Sequence, residues 1–600
     1  MRILFPPNPI KTPTLFNSLL LRFNSLRSHC ANSMAVPPPK SAMASAVVDN
    51  EVGLARRFWI KFKRESIFAM YTPFTLCLAA GNLKIETFRD YIAQDVHFLK
   101  AFAHAYELAE DCADDDDAKP VISELRRAVL QELKMHDSFV KEWGLQGAKE
   151  TPINSAAVKY TDFLLATASG KVEGVKGPGK LATPFERTKV AAYTLGAMTP
   201  CMRLYAFLGK EFKALLDPSE GSHPYLKWID SYSSESFQAS AVQIEELLDK
   251  LSVSLTGEEL DIIEKLYHQA MKLEIEFFSA QSLVQPTVVP LIREHNPAED
   301  RLMIFSDFDL TCTVVDSSAI LAEIAIVTAP KSDQHQPENQ IARMSSADLR
   351  NTWGLLSRQY TEEYEQCIES IVPTEKVFDY ENLLKALEKL SDFERKANNR
   401  VTKSEVLKGL NLEDIKRAGE RLILQDGCIN FFQKIAKSEN LNANVHVLSY
   451  CWCGDLIRSA FSSGGLNGLD VHANEFTFEE SISTGDIVKK VESPIDKVKS
   501  FKDILKNCSN DRKNLTVYIG DSVGDLLCLL EADIGIVIGS SSSLRRVATQ
   551  FGVSFVPLFP GLVKKQKECT DGRSPSWKGL TGILYTVNSW AEIHAFILGC

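Results

Sequence analysis

Two periodicities divide the chain. From about Asn50 to Leu291 apolar residues recur at spacings of three and four, as in the stripe Phe98, Phe102, Ala105 and Leu108, which is the repeat of amphipathic helices. After Arg301 the period changes. LMIFS (302–306), VHVLS (445–449), LTVYIG (515–520) and IGIVIG (534–539) are short, β-branched and apolar throughout. Strands buried on both faces read that way, and their alternation with helical stretches predicts a doubly wound parallel sheet. One interval is long: between the first two of these strands the pattern is helical, as in ENLLKALEKLSDFERKANN (381–399). The expectation is an all-α domain over 50–290 and an α/β domain over 301–600 with an inserted helical cap at about 318–420. The linker between them, 291–300, falls in the three-proline run VQPTVVPLIREHNPAED (284–300).

Three of the strands end in polar residues: Asp307-Phe-Asp309-Leu-Thr311 after the first, Ser449 at the second, and Gly520-Asp521-Ser522-x-x-Asp525 after the third. Parallel strands deliver such ends to one edge, where open sheets place their ligands. Four carboxylates gathered there repel one another unless a cation organises them. Oxygen donors without His or Cys suit Mg²⁺. Asp307 reads as a nucleophile able to form an aspartyl phosphate, and Asp309 as the acid/base. Ser449 and a lysine from SPIDKVKSFK (493–502) would hold phosphoryl oxygens, and Asp521 and Asp525 would complete the metal shell.

DFDLT, the Ser after VHVL, the Lys-rich segment and GDSVGD resemble, in that order, the four motifs of the haloacid dehalogenase-like phosphatases. The resemblance covers essentially all of 301–600. It implies Asp307 as nucleophile, Asp309 as acid/base with its backbone carbonyl a further metal ligand, and Asp521 and Asp525 as the acidic fourth motif. Lys497 is the expected third-motif lysine, with Lys499 and Lys502 as alternatives. Cys451-Trp-Cys453 has no matching second pair of thiols, so it is expected to pack near the site entrance, and Cys312 to be a packing residue.

In the helical half, QDVHFL (94–99), KYTDFL (159–164), AMTPCMRLY (197–205), YLKWIDSYSS (225–234) and KLEIEFF (272–278) put ionisable groups inside apolar helix faces. Such groups are costly there unless they share a polar pocket. His97 and His104 lack the Glu-x-x-His companions of a di-iron site and read as surface or core residues. Glu132 and His136, four apart, read as a surface pair. The runs resemble the TenA family of aminopyrimidine aminohydrolases and thiaminase II, with Pro-Cys in AMTPCMRLY and the WIDSY segment as markers. That resemblance implies a haem-oxygenase-like helical fold without haem. It also implies Cys201 as nucleophile, Glu274 as acid/base, Asp95 gripping the pyrimidine, and Tyr160, Tyr205 and Tyr232 lining the pocket. Phe98 stands where many members carry Tyr, which keeps stacking and removes a hydrogen bond.

The order of the two halves is similar to that of plant bifunctional proteins of thiamine salvage and biosynthesis. It implies hydrolysis of 4-amino-5-aminomethyl-2-methylpyrimidine to the hydroxymethyl pyrimidine with release of ammonia, and of thiamine monophosphate to thiamine. The competing reading is a phosphatase for another small ester, a sugar phosphate or phosphoserine, with the helical half a scaffold. The family leads to an expected homo-oligomer, a dimer or tetramer.

Bulk composition narrows the partners. The chain has 600 residues, too many for one core. Its net charge of −11, from 67 basic and 78 acidic residues, argues against a nucleic-acid partner. No apolar stretch approaches the roughly 18 residues of a membrane span, so no membrane partner is expected, while the resemblances imply small-molecule substrates. The 13 cysteines show no repeating spacing, which predicts reduced thiols. The first 48 residues hold Arg2, Lys11, Arg22, Arg27 and Lys40 and no acid before Asp49, and LFNSLLLRFNSLRS (15–28) would form an amphipathic helix. These features predict a transit peptide, mitochondrial ahead of plastidic. Met34 and Met43 offer later starts that would give a cytosolic form.

Overall fold

The structure is a computed structural model that describes residues 52–142, 152–172, 184–217, 223–294, 296, 298–330, 343–438, 441–508, 512–569 and 576–600. The leader at 1–48 and the loop at 174–180 lie outside the described residues. The chain forms two compact units: one is built on His295–Leu558 with Trp577–Trp590, the other on Pro38–Glu294 with Phe559–Ser576 and Ala591–Cys600.

The second of these units is helical. Its framework is Ile85–Cys112, Ala118–Glu142, Ser155–Ala168, Pro184–Ala214, Leu226–Ser233, Glu235–Ser252 and Gly257–Ser279. Local signals start these helices where they begin. Thr256 and Glu259 close a capping box on 257–279, and the Asn154 side chain accepts from Ala157 N at the start of 155–168. Two helices approach closely where a side chain is missing: a Cβ on Gly196 would sit 2.7 Å from Ile263 Cγ2. That contact packs 184–214 against 257–279, the helices that carry Cys201 and Glu274. The C-terminal segments dock on the same unit. Gln566 accepts from Val288 N at 2.9 Å and donates to the Pro286 carbonyl at 3.1 Å, and Tyr71 Oη donates to Glu592 Oε2 at 3.2 Å.

The other unit is a seven-stranded sheet, all parallel, with β1 (Asp300–Ser306), β2 (Ala443–Leu448), β3 (Asp470–His472), β6 (Lys513–Gly520), β7 (Ile534–Ile538), β8 (Ser554–Pro557) and β9 (Ile583–Val587) in the order β3-β2-β1-β6-β7-β9-β8. β4 (Glu475–Glu479) and β5 (Ile482–Val488) form a separate antiparallel hairpin. The four strands expected from sequence are β1, β2, β6 and β7. From β1 the chain runs outward to β2 and β3, then returns to β6 on β1's other side. The switch point of the topology is therefore β1, and the carboxyl ends of β2, β1 and β6 lie side by side there. Between β1 and β2 come the helices Ser317–Val327, Ser346–Ile371, Tyr380–Lys403 and Leu412–Glu420. A core containing Phe305, Leu387, Leu390, Phe501, Tyr518 and Leu529 joins the sheet to 380–403. Among the described residues no helix is long and apolar enough to cross a membrane.

Candidate active sites

Asp307, just past the end of β1, is tied to β6 by its N–H, which bonds to the Ile519 carbonyl at 2.9 Å. Its side chain turns back to accept from Phe308 N at 2.7 Å, and Lys497 Nζ stands 3.0 Å from the same Oδ1. Lys497 is fully buried and also donates to Asp525 Oδ1 at 2.7 Å. Burial alone would lower its pKa, but Asp307 and Asp525 hold it above the ordinary lysine value. Neither Lys499 nor Lys502 is in that position: Lys502 pairs with Glu531. The Lys497 ammonium also lies 4.5 Å from the Tyr450 ring centroid.

Asp525 is saturated. Its Oδ1 also accepts from Tyr518 Oη at 2.9 Å, and its Oδ2 from Ser522 Oγ at 2.7 Å, Ser522 N at 3.0 Å and Asp521 N at 3.3 Å. Despite burial, Lys497 and these donors keep its pKa below the usual carboxylate value. Asp307 is shifted the other way, to about 7, by burial and then by the Asp525 charge. One oxygen each of Asp307, Asp521 and Asp525 lies within 4.8 Å of the other two. Three carboxylates so close form an all-oxygen donor set that fits a hard divalent cation. Thr311 Oγ1 donates to Asp521 Oδ1 at 3.0 Å.

The Asp309 carboxylate stands outside that trio. It accepts from Ser317 N at 2.7 Å and Ser317 Oγ at 2.9 Å, at the start of the first cap helix. Burial, then Asp316 and Asp307, push its pKa well above the ordinary value, which favours the protonated acid. Leu310, between the two polar arms of the motif, takes a left-handed φ of 58°. Ser449 is fully buried; its N–H bonds to the His472 carbonyl at 3.0 Å and its Oγ accepts from Cys451 N at 3.1 Å. Cys451 and Cys453 are buried, and Cys312 Sγ donates to the Asp307 carbonyl at 3.2 Å.

In the helical unit, Cys201, Glu274, Asp95, Phe98, Tyr160, Tyr205 and Tyr232 come from five helices and are all buried. Tyr160 Oη donates to Glu274 Oε1 at 2.8 Å, and the Glu274 charge acts on the Cys201 thiol. Burial moves Glu274 up to about 7 and moves the Cys201 thiol well up, with Glu274 adding to the latter. Both shifts favour the protonated, uncharged forms. Phe98 packs on Tyr160 with centroids 4.6 Å apart, and Tyr205 on Tyr232 at 4.9 Å.

The expected surface pair Glu132 and His136 is a correction. His136 is 3% exposed and its Nε2 lies 3.0 Å from Asp95 Oδ2, while Glu132 Oε1 accepts from Tyr232 Oη at 2.7 Å. Leu125 and Val129 precede them at helical spacing and are buried, so the core stripe of 118–142 runs directly into both residues. Polar side chains continuing an apolar stripe were the signal in the sequence.

Buried carboxyl groups gather at the sheet edge (Asp307, Asp525), and a buried thiol and carboxyl group (Cys201, Glu274) lie in the bundle. The chain is an enzyme of the hydrolase class. It belongs to the family of the bifunctional TH2 protein: the mitochondrial TH2 protein of Arabidopsis thaliana is 70% identical over 575 residues, spanning 95% of this chain and 91% of the relative. The TENA/THI-4/PQQC family model matches residues 62–172 and 184–283. The aminopyrimidine aminohydrolase of Halalkalibacterium halodurans is 25% identical over 210 residues, 34% of this chain and 85% of that protein. A solved phosphoserine phosphatase, a phospho-aspartyl intermediate analogue, aligns over 40% of this chain and 87% of its own at 19% identity, with a TM-score of 0.26.

Proposed function

We propose that both sites serve thiamine metabolism, one in the helical domain over 50–290 and one in the phosphatase domain over 301–600. At the sheet edge the substrate is thiamine monophosphate. Asp307 attacks phosphorus while Asp309 gives its proton to the departing alkoxide oxygen, releasing thiamine. Asp309 then takes a proton from water, whose oxygen attacks the aspartyl phosphate, freeing phosphate and restoring Asp307. Ser449 and Lys497 hold the phosphoryl oxygens, and Asp525 clamps Lys497 in place. Asp307, Asp309 through its backbone carbonyl, Asp521 and Asp525 are the residues that would hold Mg²⁺, which supplies charge neutralisation when bound. The observation that carries this reading is the buried Lys497 ammonium set between Asp307 and Asp525. Phosphate release from thiamine monophosphate is expected for the wild type and absent for Asp307→Asn. A panel in which sugar phosphates or phosphoserine far outrun thiamine monophosphate would overturn the substrate.

At the helical site the substrate is 4-amino-5-aminomethyl-2-methylpyrimidine. Cys201 gives its proton to Glu274 and bonds to a ring carbon. Glu274 passes the proton to the departing amine, which leaves as ammonia. Water adds at the exocyclic carbon, and the thiol leaves as the aromatic ring reforms. Asp95, oriented by His136, grips the amino group, Phe98 and Tyr160 flank the ring, and Tyr205 and Tyr232 close the pocket. Support comes from the Cys201–Glu274–Tyr160 chain and from the aminohydrolase relatives. Ammonia release should vanish in Cys201→Ala and in Glu274→Gln; undiminished release in both would remove the assignment. The acid-free leader and the mitochondrial relative support import into mitochondria, which N-terminal sequencing of the mature chain would test. Self-association through the helical domain, expected of this family, would show in gel filtration.

A further inference from the structure

The turn that follows the nucleophile is held by two residues from outside the four motifs. Thr311, Cys312 and Thr313 are fully buried, and the carbonyls of a buried turn have to find donors. Gln425, between the last cap helix and the helix Cys428–Lys437, supplies three. Its Nε2 donates to the Leu310 carbonyl at 2.6 Å and to the Thr313 carbonyl at 3.4 Å, and its backbone N donates to the Cys312 carbonyl at 2.8 Å. Trp590 supplies the fourth: its Nε1 donates to the Thr311 carbonyl at 2.9 Å. The Trp590 ring is fully buried and packs on Phe431 and Phe432, with centroids 5.5 and 5.2 Å away. Leu310 shows that the turn is constrained. Its left-handed φ of 58° is unfavourable for a branched side chain and persists only where the surroundings impose it.

This turn carries one of the groups that orient the carboxylate trio. Thr311 Oγ1 donates to Asp521 Oδ1 at 3.0 Å, and Asp521 is the member of the trio that lies least deep. A carboxylate tied by such a bond presents its oxygens in a fixed direction, and the outer partners of a ligand set tune its hold on a cation. We infer that Trp590 and Gln425 are positioning residues of the phosphatase site. By pinning the carbonyls of 310–313 they aim the Thr311 hydroxyl at Asp521, and so set the affinity of Asp307, Asp521 and Asp525 for a divalent cation. This rests on the proposed phosphatase reading and adds the residues outside the motifs that tune its cation site.

The test is calorimetric titration of the full-length chain with Mg²⁺, without substrate. Trp590→Phe keeps a ring on Phe431 and Phe432 and removes only the donor. It is expected to raise the Mg²⁺ Kd by about tenfold, the lower end of what outer partners of a metal site are worth. Thr311→Val should do the same, and Thr311→Ser, which keeps the hydroxyl, should stay within about threefold of wild type. The double variant Trp590→Phe/Thr311→Val should bind Mg²⁺ no more weakly than Thr311→Val alone, within about twofold, because the indole acts through Thr311. Phosphate release should follow the same order in its half-saturating Mg²⁺, with kcat recovering at high Mg²⁺. A merely structural role would lower kcat and leave the Kd where it was. If Trp590→Phe does not fold, Gln425→Met, which keeps the backbone bond to Cys312, takes its place in the cycle. A Kd unchanged in the folded variant, or losses that multiply in the double variant, would overturn the inference. If the Kd values move as expected but thiamine monophosphate is not hydrolysed, the brace stands and the proposed substrate falls. A wild type that binds no Mg²⁺ removes both.

Discussion

Lys497 shows how one side chain can hold two roles. Its ammonium is the counter-charge for two buried carboxylates and, in the proposed reaction, also the group that would meet phosphoryl oxygens. Lys497→Met would leave Asp307 and Asp525 facing each other without a cation, which costs about 3–5 kcal/mol when a buried pair is broken. Calorimetry should therefore show a lowered Tm for the α/β unit as well as lost phosphatase activity, whereas Asp307→Asn should abolish activity without that drop. Glu274 makes a different prediction. Its pKa is about 7 in the folded protein against 4.5 for the free side chain, so the native state binds its proton more tightly than the unfolded chain. The stability this provides is complete below about pH 4.5 and is lost as pH rises through 7, by up to about 3 kcal/mol. Thermal melts of the helical unit should accordingly shift downward between pH 5 and 8, and Glu274→Gln should flatten part of that slope.

At the scale of elements, each site depends on places where backbones nearly touch. Gly209 on 184–214 faces the backbone of 226–233, where an added Cβ would lie 2.5 Å from the Tyr232 carbonyl carbon. Gly209→Ala should push that helix and its tyrosine outward. The expected result is a KM for the aminopyrimidine raised by about tenfold, with about 1–3 kcal/mol lost from overpacking. Gly520 plays the same part at the end of β6, since a Cβ there would meet Asp525 Cγ at 2.6 Å. Gly520→Ala should cost phosphatase turnover by displacing the clamp on Lys497. The motif residues were legible because they follow strand ends that are themselves legible. The residues around them were less so: Ser317 and Tyr518 meet Asp309 and Asp525 eight and seven positions away, Tyr450 meets Lys497 across the fold, and a tyrosine inside an apolar strand reads as core.

At the scale of the whole molecule, the two chemistries separate by their dependence on a divalent cation. Chelation should silence phosphate release, with activity restored by Mg²⁺, and leave ammonia release unchanged within about twofold, because the Cys201 site needs only its own side chains. An equal loss of both activities on chelation would contradict this division.

The sequence alone determined the helical and α/β halves and the three polar strand ends that meet at one edge of the sheet. Those features rest on periodicity and on short spacings, which act within a few residues. Only the tertiary structure decided which lysine reaches Asp307, that Asp309 turns to Ser317 while Asp525 clamps the lysine, and that Glu132 and His136 enter the helical pocket. It also decided that residues 559–576 and 591–600 belong with the helical unit. Apart from the Asp309–Ser317 contact, eight positions apart, those outcomes depend on contacts between residues tens to hundreds of positions apart, and burial, which shifts the charge state of each group, is a property of the folded surroundings and not of the residue.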